Sequence, residues 1–163
     1  MKIKGRVWNY GDNINTDFML PGKYLELTDP KELAKHAMEG IDPTFANKIQ
    51  KGDIVVGGKN MGLGSSREHA PLALKHSGVS AVVAESYARI FYRNSFNVGL
   101  AAIECLGISK KVKTGDEIEI DTTAGTVTVN GEILRIKPLP DFMVQLLNYG
   151  GLVPFLKSHM KDW

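Results

Sequence analysis

Apolar and polar positions alternate along residues 2–8, with Lys, Ile and Lys followed by Arg, Val and Trp, the pattern of a half-buried opening strand. The stretch 9–30 is polar and rich in turn formers (Asn9, Gly11, Asp12, Asn13, Asn15, Asp17, Pro21, Gly22) and predicts a long loop. Loops of that length inside a compact domain are usually functional or mobile, so 18–30 is the expected mobile segment. Thr28 or Asp29 as cap, with Pro30 in the first turn, predicts a short helix. Ile54 to Val56, Val79 to Glu85 and Leu100 to Glu104 are short continuous apolar runs, as buried strands require. Between them the spacing predicts helices over about 66–76 and 87–96, the first ended by Gly78. Strand–helix–strand–helix–strand at this spacing argues for βαβ units and a partly parallel sheet. Beyond residue 116 the period changes: 117–121, 126–129 and 133–136 read as short alternating strands. Asn130-Gly131 is the hairpin signal between the last two, and a closing helix runs from Pro140-Asp141 to Tyr149, followed by a short helical tail. The expectation is one α/β domain over 1–163, with a partly parallel sheet, flanking helices and a C-terminal β-hairpin annex.

With 163 residues, 43% of them apolar, the chain is long enough to bury a core without staples. The net charge of +2 comes without a basic stripe, since the densest cluster is Lys110, Lys111 and Lys113, and no nucleic-acid partner is expected. The start, MKIKGRVWNYGD, lacks the apolar run of a signal peptide, and no apolar run approaches the roughly 20 residues of a membrane span. No membrane partner is expected. Cys105 is the single cysteine, which fits a reducing, cytoplasmic setting. One thiol cannot hold an iron–sulfur cluster, which takes about three or four. Cys105 ends an apolar run and reads as a small core residue rather than a reactive thiol. No metal site is expected in the chain.

The stretch that carries chemistry is GLGSSREHAP, Gly62 to Pro71. It sets two hydroxyls and a guanidinium where a loop enters a helix, whose free N–H groups and dipole favour negative charge. Gly62 and Gly64 let the backbone approach a ligand, and Arg67 presents a planar fork suited to a carboxylate or phosphate. Three familiar motifs fail on spacing. A Walker loop ending at Gly58-Lys59 would need glycine at Asp53, a dinucleotide fingerprint from Gly62 and Gly64 would need a small residue at Arg67, and neither Ser65 nor Ser66 has the glycine of a hydrolase elbow two residues on. Ser65 to Glu68 also reads as a capping box, with Ser65 as cap. The spacing leaves a helix cap and an anion site standing together.

Three blocks then resemble the aconitase family's mobile swivel domain, in the family's order: DNINTD (Asp12 to Asp17) with Leu20-Pro21, GSSREHA (Gly64 to Ala70), and SYARIFYRN (Ser86 to Asn94). The resemblance covers most of the first 105 residues. It implies a separate small subunit of a hydro-lyase of leucine biosynthesis, interconverting 2- and 3-isopropylmalate by dehydration and rehydration. Homoaconitase or another alkylmalate dehydratase is the alternative, and a non-catalytic anion-binding module the distant one. It implies a partner large subunit carrying a [4Fe–4S] cluster, whose open iron acts on the leaving hydroxyl, and a small hydroxy-acid substrate. Homo-oligomerisation of the chain alone is left open. By the same resemblance Ser65 is the alkoxide base and Asp17 supports the acid–base network. Ser66, Arg67 and Gly64 are then expected to meet substrate carboxylate. Each has a plainer reading beside it: Asp17 as an Asx-turn residue, and Arg89 and Arg93 as a solvated helix face. Glu26 stands where the family's loop often carries arginine. An acid there repels a distal carboxylate, and Leu27 is the expected contact with an alkyl branch.

Overall fold

A computed structural model describes residues 1–64 and 67–160. Along the chain run β1 (Lys2–Asn9), α1 (Thr16–Met19), a 3-10 turn (Gly22–Tyr24), α2 (Pro30–Ala34), α3 (Phe45–Lys48), β2 (Ile54–Val56), α4 (His69–Ser77) and β3 (Ala81–Ala84). There follow α5 (Arg89–Asn97), β4 (Ala101–Glu104), α6 (Ile108–Lys111), β5 (Glu117–Asp121), β6 (Thr126–Val129), β7 (Glu132–Arg135), α7 (Asp141–Tyr149) and α8 (Leu152–His159).

The seven strands form one sheet in the order β4-β3-β2-β1-β5-β6-β7. β1 to β4 pair in parallel, in registers such as Val7 with Ile54 and Ile54 with Ala81, which makes the βαβ expectation good. β5 pairs antiparallel with the free edge of β1 (Ile3 opposite Ile120), and β6 and β7 follow as a meander. The expected annex is therefore a continuation of the same sheet. Asn130 and Gly131 both have positive φ, 47° and 81°, the backbone a tight β6–β7 hairpin turn needs.

Every residue of β2 and β3 is buried because both faces are covered. On one face Val55, Val82 and Ala84 pack under α2, α3 and α4, meeting Leu33, Phe45, Ala70 and Leu74. On the other, Ile54, Val56, Val83 and Ile103 meet Ile118, Ile120, Val127 and Val129, so the sheet curls over and packs on itself. Cys105 lies in this second core, and burial, helped by the negative Glu85, pushes its thiol up to about 11. It is a core residue, as expected.

α4 starts three residues later than its periodicity suggests, and Glu68 occupies the cap position without a side-chain cap bond. Pro71 accounts for the shift. In a helix begun at residue 66 it would stand in the interior, where it has no N–H to give and its ring strikes the preceding turn; begun at His69, it sits in the tolerant first turn. The capping-box reading therefore does not describe this helix start. α5 also begins late, because Ala88 is extended and the Tyr87 hydroxyl donates to the carbonyls of Val82 and Ile103. Asp29 caps α2 as expected, its carboxylate accepting from Lys31 N at 2.9 Å.

The loop before β2 is tied by Asp53, a carboxylate only 6% exposed. Its Oδ2 accepts from Trp8 Nε1 (2.9 Å), Gln50 N (2.9 Å) and Arg6 Nη2 (3.2 Å). Burial raises its pKa, but these donors outweigh burial and hold the carboxyl below its ordinary range. A depressed carboxyl stabilises the fold above its unfolded value, about 3.9, and loses that contribution as pH falls through the folded value. Asp53→Asn is expected to cost about 2–3 kcal/mol at neutral pH, a fall of roughly 4–12 °C in melting temperature. Melting curves of both proteins should converge as pH drops below about 4; a constant gap would show that the charge is not what stabilises.

Candidate active site

The carboxyl ends of β1, β2 and β3 lie side by side, and the loops that leave them converge. Backbone hydrogen bonds join those loops. Asn13 N donates to Lys59 O (2.8 Å), Gly62 N to Ile14 O (2.7 Å) and Thr16 N to Leu63 O (3.0 Å). Met61 N donates to Ser86 O (3.0 Å) and Ala88 N to Met61 O (2.9 Å). The three motif blocks, the first and last 69 residues apart in sequence, are thus one continuous surface at the strand ends, where open α/β sheets place ligands. Gly62 makes the close approach possible. Its φ is +83°, and a Cβ there would fall into the Phe91 ring.

Asp17 stands in α1, whose start is set by the Asn15 side chain accepting from Phe18 N at 2.8 Å. Its Oδ1 accepts from Arg67 Nη1 at 2.8 Å. The Arg67 side chain is 20% exposed and the Asp17 side chain 64%, so the guanidinium is largely packed in while its partner faces solvent. An exposed pair contributes about 1 kcal/mol at most, so its significance is positional: Asp17 fixes the rotamer of Arg67. Gly22 backs the pair, leaving its would-be Cβ 3.6 Å from both Nη atoms and from Asp17 Oδ1.

Beside the pair opens a cleft of about 260 Å³, between Thr16, Gly64 and Arg67 on one side and the first turn of α5 on the other. Gly64 is exposed with φ +110°. Asp17, Arg67 and Gly64 are thus brought together, whereas Ser65 and Ser66 lie outside the described residues. Glu26 is exposed, Leu27 packs against the helix-side core, and neither lines the described cleft. A larger cavity, about 670 Å³ and mainly apolar, lies between the end of β4 and the β7–α7 connection and shares no residue with the cleft.

Two features of the site region were not read from the sequence. Arg89, taken there as part of a solvated helix face, lines the cleft. His36, unassigned there, anchors the 18–30 loop. It stacks on Tyr24 at 3.7 Å, and its Nδ1 meets Glu39 Oε2 at 2.6 Å while the Tyr24 hydroxyl donates to Glu39 Oε1 at 2.6 Å. Burial raises the Glu39 pKa, but the bonds from Tyr24 and His36 outweigh it and leave the carboxyl below its ordinary range. The signal that could have found this anchor is the His36-x-x-Glu39 spacing, one helical turn apart.

The chain's donors do not fit a cluster. Its one cysteine is buried in the sheet core with a raised pKa, and no group of three His, Cys, Asp or Glu converges among the described residues. No helix among the described residues is long and apolar enough to cross a membrane.

The family model described as the aconitase C-terminal domain matches residues 11–107, which hold all three motif blocks. The chain is 56% identical over 162 residues to the isopropylmalate/citramalate isomerase small subunit of Methanocaldococcus jannaschii, covering 98% of this chain and 96% of that one. It is 51% identical over 162 residues to the 3-isopropylmalate dehydratase small subunit of Thermodesulfovibrio yellowstonii, with the same coverage of 98% and 96%. A crystal structure of a 3-isopropylmalate dehydratase from M. jannaschii superposes with a TM-score of 0.92 at 43% identity, covering 99% of this chain and 97% of that one. A family match over more than half of the chain, with relatives this similar along nearly all of it, leaves one conclusion: the chain belongs to the aconitase family.

Proposed function

We propose that this chain is the small subunit of a cytoplasmic hydro-lyase that interconverts 2-isopropylmalate and 3-isopropylmalate, working with a large subunit that carries a [4Fe–4S] cluster. The observation that carries the reading is the Arg67–Asp17 pair at the mouth of the cleft, in a chain whose near-full-length relatives bear small-subunit names. With Nη1 committed to Asp17, Arg67 keeps its other N–H groups for a substrate carboxylate. Gly64 gives the backbone room beside that carboxylate, and Ser66 donates a further hydrogen bond to it. Ser65, two positions before Arg67, removes the proton from the carbon next to the carboxylate. Serine is a very weak acid in water. Its alkoxide becomes accessible only beside a fixed cation and backbone donors, and Arg67, two positions on, is the cation this reading assigns to it. Glu26 disfavours a substrate with an additional acid arm, and Leu27 meets the alkyl branch once the 18–30 segment closes over the cleft.

A second reading, citramalate with its shorter branch, is favoured by the name of the M. jannaschii relative. The test is anaerobic turnover by this chain mixed with a cluster-loaded large subunit from the same source, each subunit alone serving as control. Activity is expected only in the mixture, and higher on isopropylmalate or citramalate than on homocitrate or citrate. Preference for homocitrate would overturn the substrate assignment, and no turnover with a competent large subunit would overturn the enzyme reading.

A further inference from the structure

α5 begins against the usual electrostatic preference. A helix N-terminus carries partial positive charge and favours Asp or Glu in its first turn, yet α5 has no acid there and opens with Arg89. Natural chains break such local rules mainly where function requires it. Arg89 is exposed, forms no ion pair among the described residues, and lines the same cleft as Arg67. The described lining of that cleft holds two guanidiniums, one from the loop before α4 and one from the first turn of α5, and no carboxylate. Asp17 answers Arg67 alone, and Arg93, one turn further along α5, is not part of the lining. A solvated helix face does not explain why one arginine of the two stands in the cleft at the helix end least suited to it.

We propose that Arg89 is a substrate-binding residue that takes the second carboxylate of a dicarboxylic acid whose first carboxylate is held by Arg67. This rests on the reading of the chain as a hydro-lyase subunit, and it assigns to α5 a role in recognition. A bound carboxylate neutralises the cation and meets the N–H groups of the helix end together, so the unfavourable arrangement of the empty cleft becomes favourable on binding. Next to Arg89, Ile90 is a large apolar side chain 48% exposed and also lines the cleft, which suits a ligand with an apolar branch beside its acid groups.

The experiment uses the assembled heteromer with Arg89→Gln and Arg89→Lys. Arg89→Gln is expected to raise KM for the dicarboxylic substrate about 10–100-fold, with kcat changed less than about threefold. Arg89→Lys should recover part of the loss. Two competitive inhibitors with the same alkyl branch separate recognition from folding, one dicarboxylic and one with its second acid replaced by an amide. Arg89→Gln should weaken the first and leave the second as in wild type. Unchanged KM in both variants, or equal weakening of both inhibitors, would overturn the assignment. An inactive wild-type heteromer would instead remove the hydro-lyase reading on which it stands.

Discussion

Ser65→Ala in the assembled heteromer is expected to lower kcat by about 10²–10⁴-fold, the range of a lost general base. The melting temperature of the isolated chain should barely move, because the loops of the site are joined through backbone groups. Thr16 to Leu63, Gly62 to Ile14 and Met61 to Ser86 join the loops through backbone groups that a hydroxyl deletion leaves in place. The comparison that gives the result meaning is Arg67→Lys. It keeps the charge but loses the fork that serves Asp17 and a carboxylate together, so KM should rise with a smaller effect on kcat. Both are read from steady-state turnover on isopropylmalate, with circular dichroism as the folding control. Retained turnover in Ser65→Ala would remove the serine from the chemistry and leave the cleft as a binding site.

Gly62→Ala is expected to give the largest loss of stability. Left-handed backbone strains an alanine by about 1–3 kcal/mol, and the new methyl would have to displace Phe91, which is 3% exposed in the helix-side core. Together these predict about 3–5 kcal/mol, a fall of roughly 6–20 °C in melting temperature. Gly131→Ala is the matched control. Its φ of +81° is nearly the same as the +83° of Gly62, but nothing lies within 4 Å of its would-be Cβ, so it should show the backbone strain alone. Equal losses in the two variants would show that Phe91 does not pack against Gly62. A larger loss at Gly62 measures how firmly α5 is held against the glycine-rich loop, and so how firmly Arg89 is placed.

The parallel half of the fold was legible because its strands are short apolar runs between helix-period segments. The hairpin was legible because Asn130-Gly131 permits few other backbones. The continuity of the antiparallel strands with the rest of the sheet was not, since nothing in residues 117–121 names β1 as their partner. The start of α4 was misread because Ser65 to Glu68 satisfies a local capping pattern while Pro71 decides the outcome. At the cleft, Asp17 and Arg67 were singled out through the motif blocks, and the structure adds that they touch. Arg89 was overlooked because an arginine one turn from another looks like a wet helix face. Only the tertiary placement of Ala88 and Arg89 beside Met61 and Gly62 distinguishes it.

β1 is the seam between the two halves of the sheet: it pairs with β2 on one side and with β5 on the other. Its partner on that second side comes late: Glu119, opposite Lys4, follows it by 115 residues, so on the ribosome β1 waits for β5. Closure of so long a loop makes completion of the sheet slow, and until then one edge of β1 is an open template for other chains. The residues along it answer that hazard. Lys2, Lys4 and Arg6 alternate with the core-facing positions and repel a second copy of the same strand, and when β5 arrives, Glu117 meets Lys4 at 3.3 Å. Neutralising Lys2 and Lys4, which unlike Arg6 do not serve Asp53, should therefore harm the nascent chain's solubility more than the finished fold.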